Sequence, residues 1–414
     1  DALAAVGSSF TLMTFLTSIL LGLCMGSGAV FSMRFGQRDE TGLRESARAA
    51  FALIAGITVL LNAAAFLCLD GIQIFLRVTD GTIWAMMRDY LAVIFWGIAG
   101  TFLYNYFACY LRAIGNSVVP LVFLAISALL NIGLDIWFVA GLDRGVTGAA
   151  EATILSQYVS GVGLALFALA TRPELRPRRG DSPIRLAQVR EIASFSILTC
   201  VQQSVMNLGI LLVQGLVNSF GGTVMAAFAA AVKVDSFAYL PVQDFGNAFS
   251  TFIAQNYGAQ KQERIRAGLK GAVLVSVAFS LAISAAVFLF ARPLMLLFLD
   301  SSNDAIIAEG VRYLRIEGAF YCGIGCLFLL YGLYRALGRP GMSVVLTVIS
   351  LGTRVALAYL LSSIPVLGVT GIWWSVPIGW ALADLAGFLY YRVNRRLLLP
   401  RHSEQPDSVP EKTS

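Results

Sequence analysis

Charged residues are scarce in this sequence, which argues against a water-soluble protein. Only 13% of the 414 residues are charged, whereas a typical soluble domain has about 25%. Hydrophobic residues make up 57% of the chain, and the mean hydropathy is +0.75. A soluble chain of this size would need far more charge to cover its surface, so the composition predicts a membrane protein. It also argues against a disordered chain, a disulfide scaffold and a nucleic-acid-binding protein.

Histidine and paired cysteines are also lacking. The single histidine, His402, lies in the polar C-terminal tail, which excludes a histidine-based catalytic triad or a multi-histidine metal site. The six cysteines form no C-x-x-C pair and favour neither a zinc site nor a disulfide framework. They are Cys24, Cys68, Cys109, Cys200, Cys322 and Cys326. Without a recognisable nucleophile–base pair or metal-ligand set, we expect no enzyme.

Long apolar runs dominate the sequence instead. A helix that crosses the hydrocarbon core needs about 20 apolar residues. Eleven runs meet this length, and they predict an all-α integral membrane protein. The runs are 8–33, 46–69, 88–111, 118–141, 149–171, 190–218, 224–255, 269–299, 311–335, 342–364 and 369–393.

Basic residues indicate how the helices are oriented. Of the 30 lysines and arginines, 22 fall in alternate loops that begin with 34–48 and include 172–190 and the tail. The positive-inside rule places these loops in the cytoplasm. We therefore expect a multi-pass protein of the plasma (inner) membrane with a cytoplasmic C-terminus, and a disordered tail over 399–414. The net charge of +6 then reflects the orientation of the helices in the membrane, and we expect no nucleic-acid partner.

The sequence contains an internal repeat. At a shift of 223 residues, Gly145-Val146-Thr147-Gly148 recurs as Gly368-Val369-Thr370-Gly371, and Ala113-Ile114-Gly115 recurs as Ala336-Leu337-Gly338. Near the N-terminus the shift is 222, which matches Phe35-Gly36 with Tyr257-Gly258. Matches in this collinear order indicate duplication. Halves with an even number of spans are related by an axis along the membrane normal, so we expect two similar bundles.

The repeat also predicts how the chain is divided. Its second half begins with the span 190–218, and a shift of 222 residues places the counterpart before residue 1. We therefore expect that this chain lacks the first helix of a twelve-helix protein. The predicted division is an N-terminal lobe over 1–171 with five spans, a cytoplasmic linker over 172–189, and a C-terminal lobe over 190–398 with six spans.

Several motifs, taken in order with the repeat, resemble the multidrug and toxic compound extrusion (MATE) family of antiporters. They are Gly36-Gln37, Leu111-Arg112-Ala113-Ile114-Gly115-Asn116 ahead of Pro120, Asn131-Ile132-Gly133-Leu134-Asp135, and Gly145 to Thr153. The resemblance implies two pseudo-symmetric six-helix lobes and export of organic, often cationic, compounds driven by inward Na⁺ or H⁺. In prokaryotic members it implies an N-lobe ion site, and Asn131, Asp135 and Thr153 match three of its residues. The family's first-helix Asp has no counterpart here.

The same three residues suggest an ion site on their own chemistry. Asn131 and Asp135 are four residues apart on one helix and share a face. Thr153 lies at a similar depth in the next helix. Carboxylate, amide and hydroxyl oxygens suit a hard cation, or a proton held on Asp135. In the second half the equivalent positions are Arg354, Ala358 and Val376. The alternative is that Asp135 only bonds neighbouring polar groups and orders the lobe.

Further polar and aromatic residues are candidates for a substrate cleft. The candidates are Asp235, Asp384, Gln202, Gln203, Gln214, Tyr104 and Tyr239. The acids would attract a cation, the amides would form hydrogen bonds, and the aromatic rings would stack. Each has a structural alternative, such as a compensating pair of Asp235 with Lys233 or Arg354, or helix–helix hydrogen bonds.

Two other features suggest contact with the membrane boundary. Trp373 and Trp374 follow a loop and are expected to anchor the chain at the interface. Arg335, at the inner end of its span, is expected to extend its charge into the headgroup region.

The predicted function is therefore secondary active export of a small organic substrate by a monomer in the lipid bilayer. It would need no cofactor beyond the coupling ion, Na⁺ or H⁺. One alternative is a lipid-linked saccharide flippase of similar fold, which should have a broadly cationic cavity, yet only Lys233 and Arg354 are basic residues away from the loops and the flanks of the spans. The other is a polytopic membrane protein without transport activity, such as a receptor.

Overall fold

A computed structural model describes residues 2–69, 81–176 and 183–398. These residues form thirteen α-helices, with short 3₁₀ turns at Phe95–Gly97 and Pro173–Leu175 and a π-helical turn at Ile136–Gly141. The helices are α1 (Ala2–Gly36), α2 (Glu40–Leu67), α3 (Gly81–Ile94), α4 (Ile98–Ala113), α5 (Val118–Asp135), α6 (Gly145–Thr171), α7 (Leu186–Asn218), α8 (Gly222–Gly258), α9 (Gln262–Leu296), α10 (Asp304–Gly318), α11 (Tyr321–Ala336), α12 (Pro340–Ser362) and α13 (Gly368–Leu398).

The number of spans agrees with the sequence prediction. Within the described ranges, ten helical segments are long and apolar enough to cross a membrane, and the pair α10–α11 makes an eleventh. This pair is bent by 51°, whereas the sequence predicted one continuous span over 311–335. The chain breaks at Ala319 and Phe320, and Phe320 leaves the helical region with φ −116° and ψ 19°.

The repeated Ala-x-Gly motif ends two equivalent helices. Gly115 follows α4 with φ +90°, and Gly338 follows α11 with φ +75°. Both are conformations that glycine adopts without strain. The backbone N–H of Asn116 donates to Leu111 and that of Arg339 donates to Tyr334, each at 2.8 Å. The motif therefore recurs because both halves stop a helix in the same way.

The helices of each half pack mainly on one another, and α1 joins the halves. In the first half α4 and α5 pack on α6; in the second, α11 packs on α8 and α12 on α13. Helix α1 packs extensively on α7 and α8. Helices α1, α4, α6, α8, α11 and α13 end on the same side of the bundle. We call this side the basic end, because Arg34, Arg112, Arg176, Arg266 and Arg335 lie at or near its helix termini.

Some parts of the predicted division lie outside the described residues. These are the tail 399–414 and positions 177–182 of the linker. The linker ends earlier than expected, since α7 begins at Leu186 rather than near 190.

Two predictions about the membrane boundary were wrong. Trp373 is fully buried rather than an interface anchor, because its ring stacks on Phe228 with centroids 5.5 Å apart. Trp374 is 40% exposed and remains consistent with an anchor. Arg335 is only 4% exposed, so its side chain does not extend into the headgroup region. It is enclosed where the two halves meet, within electrostatic range of Cys109 on α4.

Candidate functional site

Asn131 and Asp135 lie on the face of α5 that packs against the protein. Between positions 126 and 138, the positions that are not exposed are 127, 130, 131, 134, 135 and 138. This spacing is that of a single helical face. Both side chains are partly buried, and the Oδ1 atom of Asp135 is enclosed by the protein.

The register between α5 and α6 brings Thr153 to the same level. Ser127 donates a hydrogen bond to the Ser156 carbonyl at 2.8 Å, and Phe138 lies against Gly148 at the other end of the contact. Because the two helices are antiparallel, Asn131 lies opposite Thr153 and Asp135 lies one turn further on, near Ala149. The Thr153 hydroxyl donates to the Ala149 carbonyl at 3.0 Å. This register indicates that the three predicted residues lie at neighbouring levels of one helix–helix contact.

Two polar atoms of this contact are buried without a partner. The Asn131 Nδ2 and Asp135 Oδ1 atoms are enclosed and form no hydrogen bond within the described residues. Arg144, a nearby cation on the same helical hairpin, pairs with Glu151 instead. Unpaired buried polar groups are unfavourable, and a bound cation or proton would satisfy the carboxylate.

A fourth oxygen-bearing side chain lies near this contact. Tyr90 on α3 is within electrostatic range of Asp135. It is partly buried, and α3 packs on α6. At the repeat shift of 223 residues, Tyr90 corresponds to Tyr313. We call Tyr90, Asn131, Asp135 and Thr153 the N-lobe pocket.

The backbone changes form directly after Asp135. Residues Ile136–Gly141 make a π-helical turn, in which the Leu142 N–H donates to the Trp137 carbonyl at 2.9 Å. Such turns occur mostly as local widenings of α-helices and often at functional sites. Here the turn begins at the residue after the carboxylate, so a change in its winding would move Asp135.

The second half has a different polar cluster. Glu317 on α10 is only 2% exposed and lies within electrostatic range of Asp235 on α8 and Arg354 on α12. One polar atom of each of these three side chains is buried without a hydrogen-bond partner among the described residues, and Tyr321 lies beside Asp235. We call Asp235, Glu317, Tyr321 and Arg354 the C-lobe cluster. Two acids here share one fixed cation.

Sequence reasoning missed Glu317, and one of the two partners that it suggested for Asp235 was wrong. A signal was present, because Glu317 follows the repeated Tyr313 by four residues and both lie on one helical face. Of the two suggested partners of Asp235, Arg354 is near it. Lys233 is not its partner: this side chain is exposed and lies over the Phe298 ring, 5.6 Å from the centroid.

The other cleft candidates are spread over four helices. The Tyr104 hydroxyl donates to the Pro120 carbonyl at 3.0 Å, and the Tyr239 hydroxyl lies 3.3 Å from the Met206 sulfur. Gln202 and Gln203 are buried, whereas Gln214 donates to Asn218 on its own helix. Asp384 is partly buried beside Gly323, and its Oδ1 is unpartnered within the described ranges. Their assignment to a substrate cleft stays a prediction.

Known proteins resemble this chain over most of its length. A family model described as MatE matches residues 1–137 and 198–360. The "Probable multidrug resistance protein YpnP" of Bacillus subtilis is 30% identical over 395 residues, covering 95% of this chain and 87% of that protein. The "Probable multidrug resistance protein NorM" of Thermotoga maritima is 26% identical over 377 residues, covering 90% and 80%.

Solved structures share the same fold. A structure described as the outward-facing conformation of a multidrug resistance MATE family transporter matches with a TM-score of 0.87 and 24% identity, covering 96% of this chain and 88% of that one. A structure of MATE in the bent conformation matches with a TM-score of 0.87 at 23% identity and the same coverage.

Proposed function

Because the chain belongs to the MATE family, we propose that it is a secondary active transporter that exports organic cations in exchange for Na⁺ or H⁺. The relatives named as multidrug resistance proteins support drug-like substrates. The observation that carries the ion-coupling part is the unpaired carboxylate of Asp135 on the α5–α6 contact. A carboxylate in the membrane region is unfavourable unless it has a compensating role.

Asp135 would couple ion and drug through its charge. With a proton or Na⁺ bound, the N-lobe pocket is neutral; without one, it holds an uncompensated anion. The two charge states favour different packings of α3, α5 and α6, and each packing has its own affinity for drug. The π-helical turn after Asp135 is the element in this region best suited to change shape.

The predicted division and orientation complete this proposal. The N-terminal lobe is 1–171, the linker 172–189 and the C-terminal lobe 190–398, and the lobes rock against each other around a cleft. The basic end faces the cytoplasm, as the positive-inside rule requires, and the C-terminus lies inside the plasma membrane of the cell. The protein works as a monomer. Asp235, Asp384, Gln202, Gln203, Gln214, Tyr104 and Tyr239 remain the candidates for drug contact.

Transport by purified protein tests the assignment of Asp135. The full chain is reconstituted in proteoliposomes with a fluorescent cationic drug, and a Na⁺ gradient and a pH gradient are imposed in separate experiments. One gradient should drive drug movement by the wild type, and Asp135→Asn should abolish the response. Asp143→Asn is the matched control, since Asp143 is exposed in the adjacent loop and should behave as wild type. Drug movement by Asp135→Asn at the wild-type rate would reject the assignment.

A further inference from the structure

The two halves approach each other closely at the basic end. A Cβ atom built on Gly36, at the end of α1, would lie 1.9 Å from the Gln255 carbonyl oxygen on α8. A Cβ atom built on Gly258 would lie 2.0 Å from the Met33 carbonyl oxygen on α1. Atoms in van der Waals contact are separated by roughly 3.5 Å, so neither position admits a side chain while the helices stay in place.

These two contacts are equivalent under the internal repeat. The shift of 222 residues converts Met33 into Gln255 and Gly36 into Gly258. Gly36 therefore packs on Gln255, and Gly258 packs on Met33, which is the repeat counterpart of Gln255. A reciprocal contact of this kind lies on the twofold axis that relates two similar bodies. The contact thus marks the pseudo-twofold axis at the basic end.

Polar contacts along α1 and α8 join the same two halves. The Ser27 and Ser196 hydroxyl oxygens are 2.8 Å apart in the buried α1–α7 contact. Arg34 pairs with Glu191 at 2.9 Å, and Gln255 Nε2 donates to the Ala113 carbonyl at 2.8 Å. The contacts of Arg34 and Gln255 lie beside the glycines at the basic end, and the Ser27–Ser196 contact continues the closed interface deeper into the bundle.

We propose that Gly36 and Gly258 form a symmetric latch that holds the basic end closed and opens in each transport cycle. This inference rests on the proposed function, because only a transporter with alternating access needs the halves to part here. Glycine at both positions lets the backbones approach closely, as in other tightly packed membrane helices. Since the pseudo-twofold axis relates the two contacts, rocking of the lobes away from each other at the basic end separates both contacts together.

Cysteine labelling tests the latch without transport. In a variant whose six native cysteines are replaced, Ser27→Cys serves as the reporter, since Ser27 is fully buried when the basic end is closed. Gly36→Ala or Gly258→Ala should each raise the rate of labelling by a hydrophilic maleimide about fivefold or more. Gly271→Ala is the matched control, because a Cβ there meets no atom within 4 Å. An unchanged rate in both latch variants, or an equal rise in the control, would overturn the proposal.

A cross-link provides a second measurement if an alanine variant does not fold. With both glycines intact, oxidation of Ser27→Cys/Ser196→Cys should form a disulfide, as the 2.8 Å separation of the native oxygens indicates. The disulfide should abolish drug transport, and reduction should restore it. Failure to cross-link would refute the closed latch, and full transport by the cross-linked protein would refute its opening.

The labelling result is independent of the ion assignment. It uses neither drug nor an ion gradient, so a labelling response together with active Asp135→Asn would retain the latch and reject the ion site. The reverse pattern, an inactive Asp135→Asn with no labelling response to the alanines, would retain the ion site and reject the latch.

Discussion

Replacement of Trp373 tests whether the N-terminal part of α13 is fixed in the protein core. The indole ring is fully buried; it stacks on Phe228 and meets the edge of Tyr313 at a centroid distance of 4.9 Å. Its Nε1 donates to Glu309 at 2.7 Å. The other carboxylate oxygen of Glu309 pairs with Arg312 at 3.1 Å, and the Glu309 side chain is 14% exposed.

The size of the effect follows from these contacts. Trp373→Phe retains an aromatic ring but removes a hydrogen bond to a charged acceptor, which contributes about 1.5–3 kcal/mol. Trp373→Ala also leaves a cavity and should destabilise the protein by about 3–5 kcal/mol. With a shift of about 2–4 °C for each kcal/mol, Trp373→Phe should lower the melting temperature by about 3–12 °C.

Thermal unfolding of detergent-purified protein measures this change. Trp374→Phe is the control, since Trp374 is 40% exposed and should change the stability by only about 0.5 kcal/mol. Equal melting temperatures for Trp373→Phe and Trp374→Phe would show that the bond to Glu309 contributes nothing, and the reasoning would fail.

Two further predictions concern the polar groups of each half. Arg354→Gln leaves the acids of the C-lobe cluster uncompensated and should destabilise the protein by about 3–5 kcal/mol; in the same thermal assay, adding Glu317→Gln should recover part of the loss, and no recovery would contradict the cluster. Tyr90→Phe removes an oxygen near Asp135 and should raise the Na⁺ or H⁺ concentration for half-maximal transport by about 10-fold. An unchanged ion dependence would exclude Tyr90 from the N-lobe pocket.

The sequence predicted the features that depend on local pattern. The spans follow from apolar length, which the bilayer sets, so eleven were found. The shared face of Asn131 and Asp135 follows from the helical period. The level of Thr153 follows from a short connection between antiparallel helices. Each of these is decided by neighbours in the chain.

Features that depend on distant packing were not found. Burial of Trp373 depends on Phe228 and Tyr313, which lie on α8 and α10. Burial of Arg335 depends on the approach of the two halves. The bend between α10 and α11 has no proline at its centre, and the apolar run continues through it. Periodicity alone contains no information on which helix covers which face.

The repeat separates features that the two halves share from features that differ between them. Duplication kept the features that build the fold: Gly115 and Gly338 end equivalent helices, and Tyr90 and Tyr313 occupy equivalent positions. It did not keep the polar groups, since the counterparts of Asp135 and Thr153 are the buried Ala358 and Val376.

The counterpart of Asn131 distinguishes the polar groups of the two halves. This position is Arg354, a cation that is part of the chain and lies within electrostatic range of Asp235 and Glu317. A fixed guanidinium partly neutralises the carboxylates of the C-lobe cluster and competes with a mobile cation for them. The N-lobe pocket has an acid with no such partner among the described residues. Under the proposed function, we therefore expect the mobile cation to bind in the first half rather than at the C-lobe cluster.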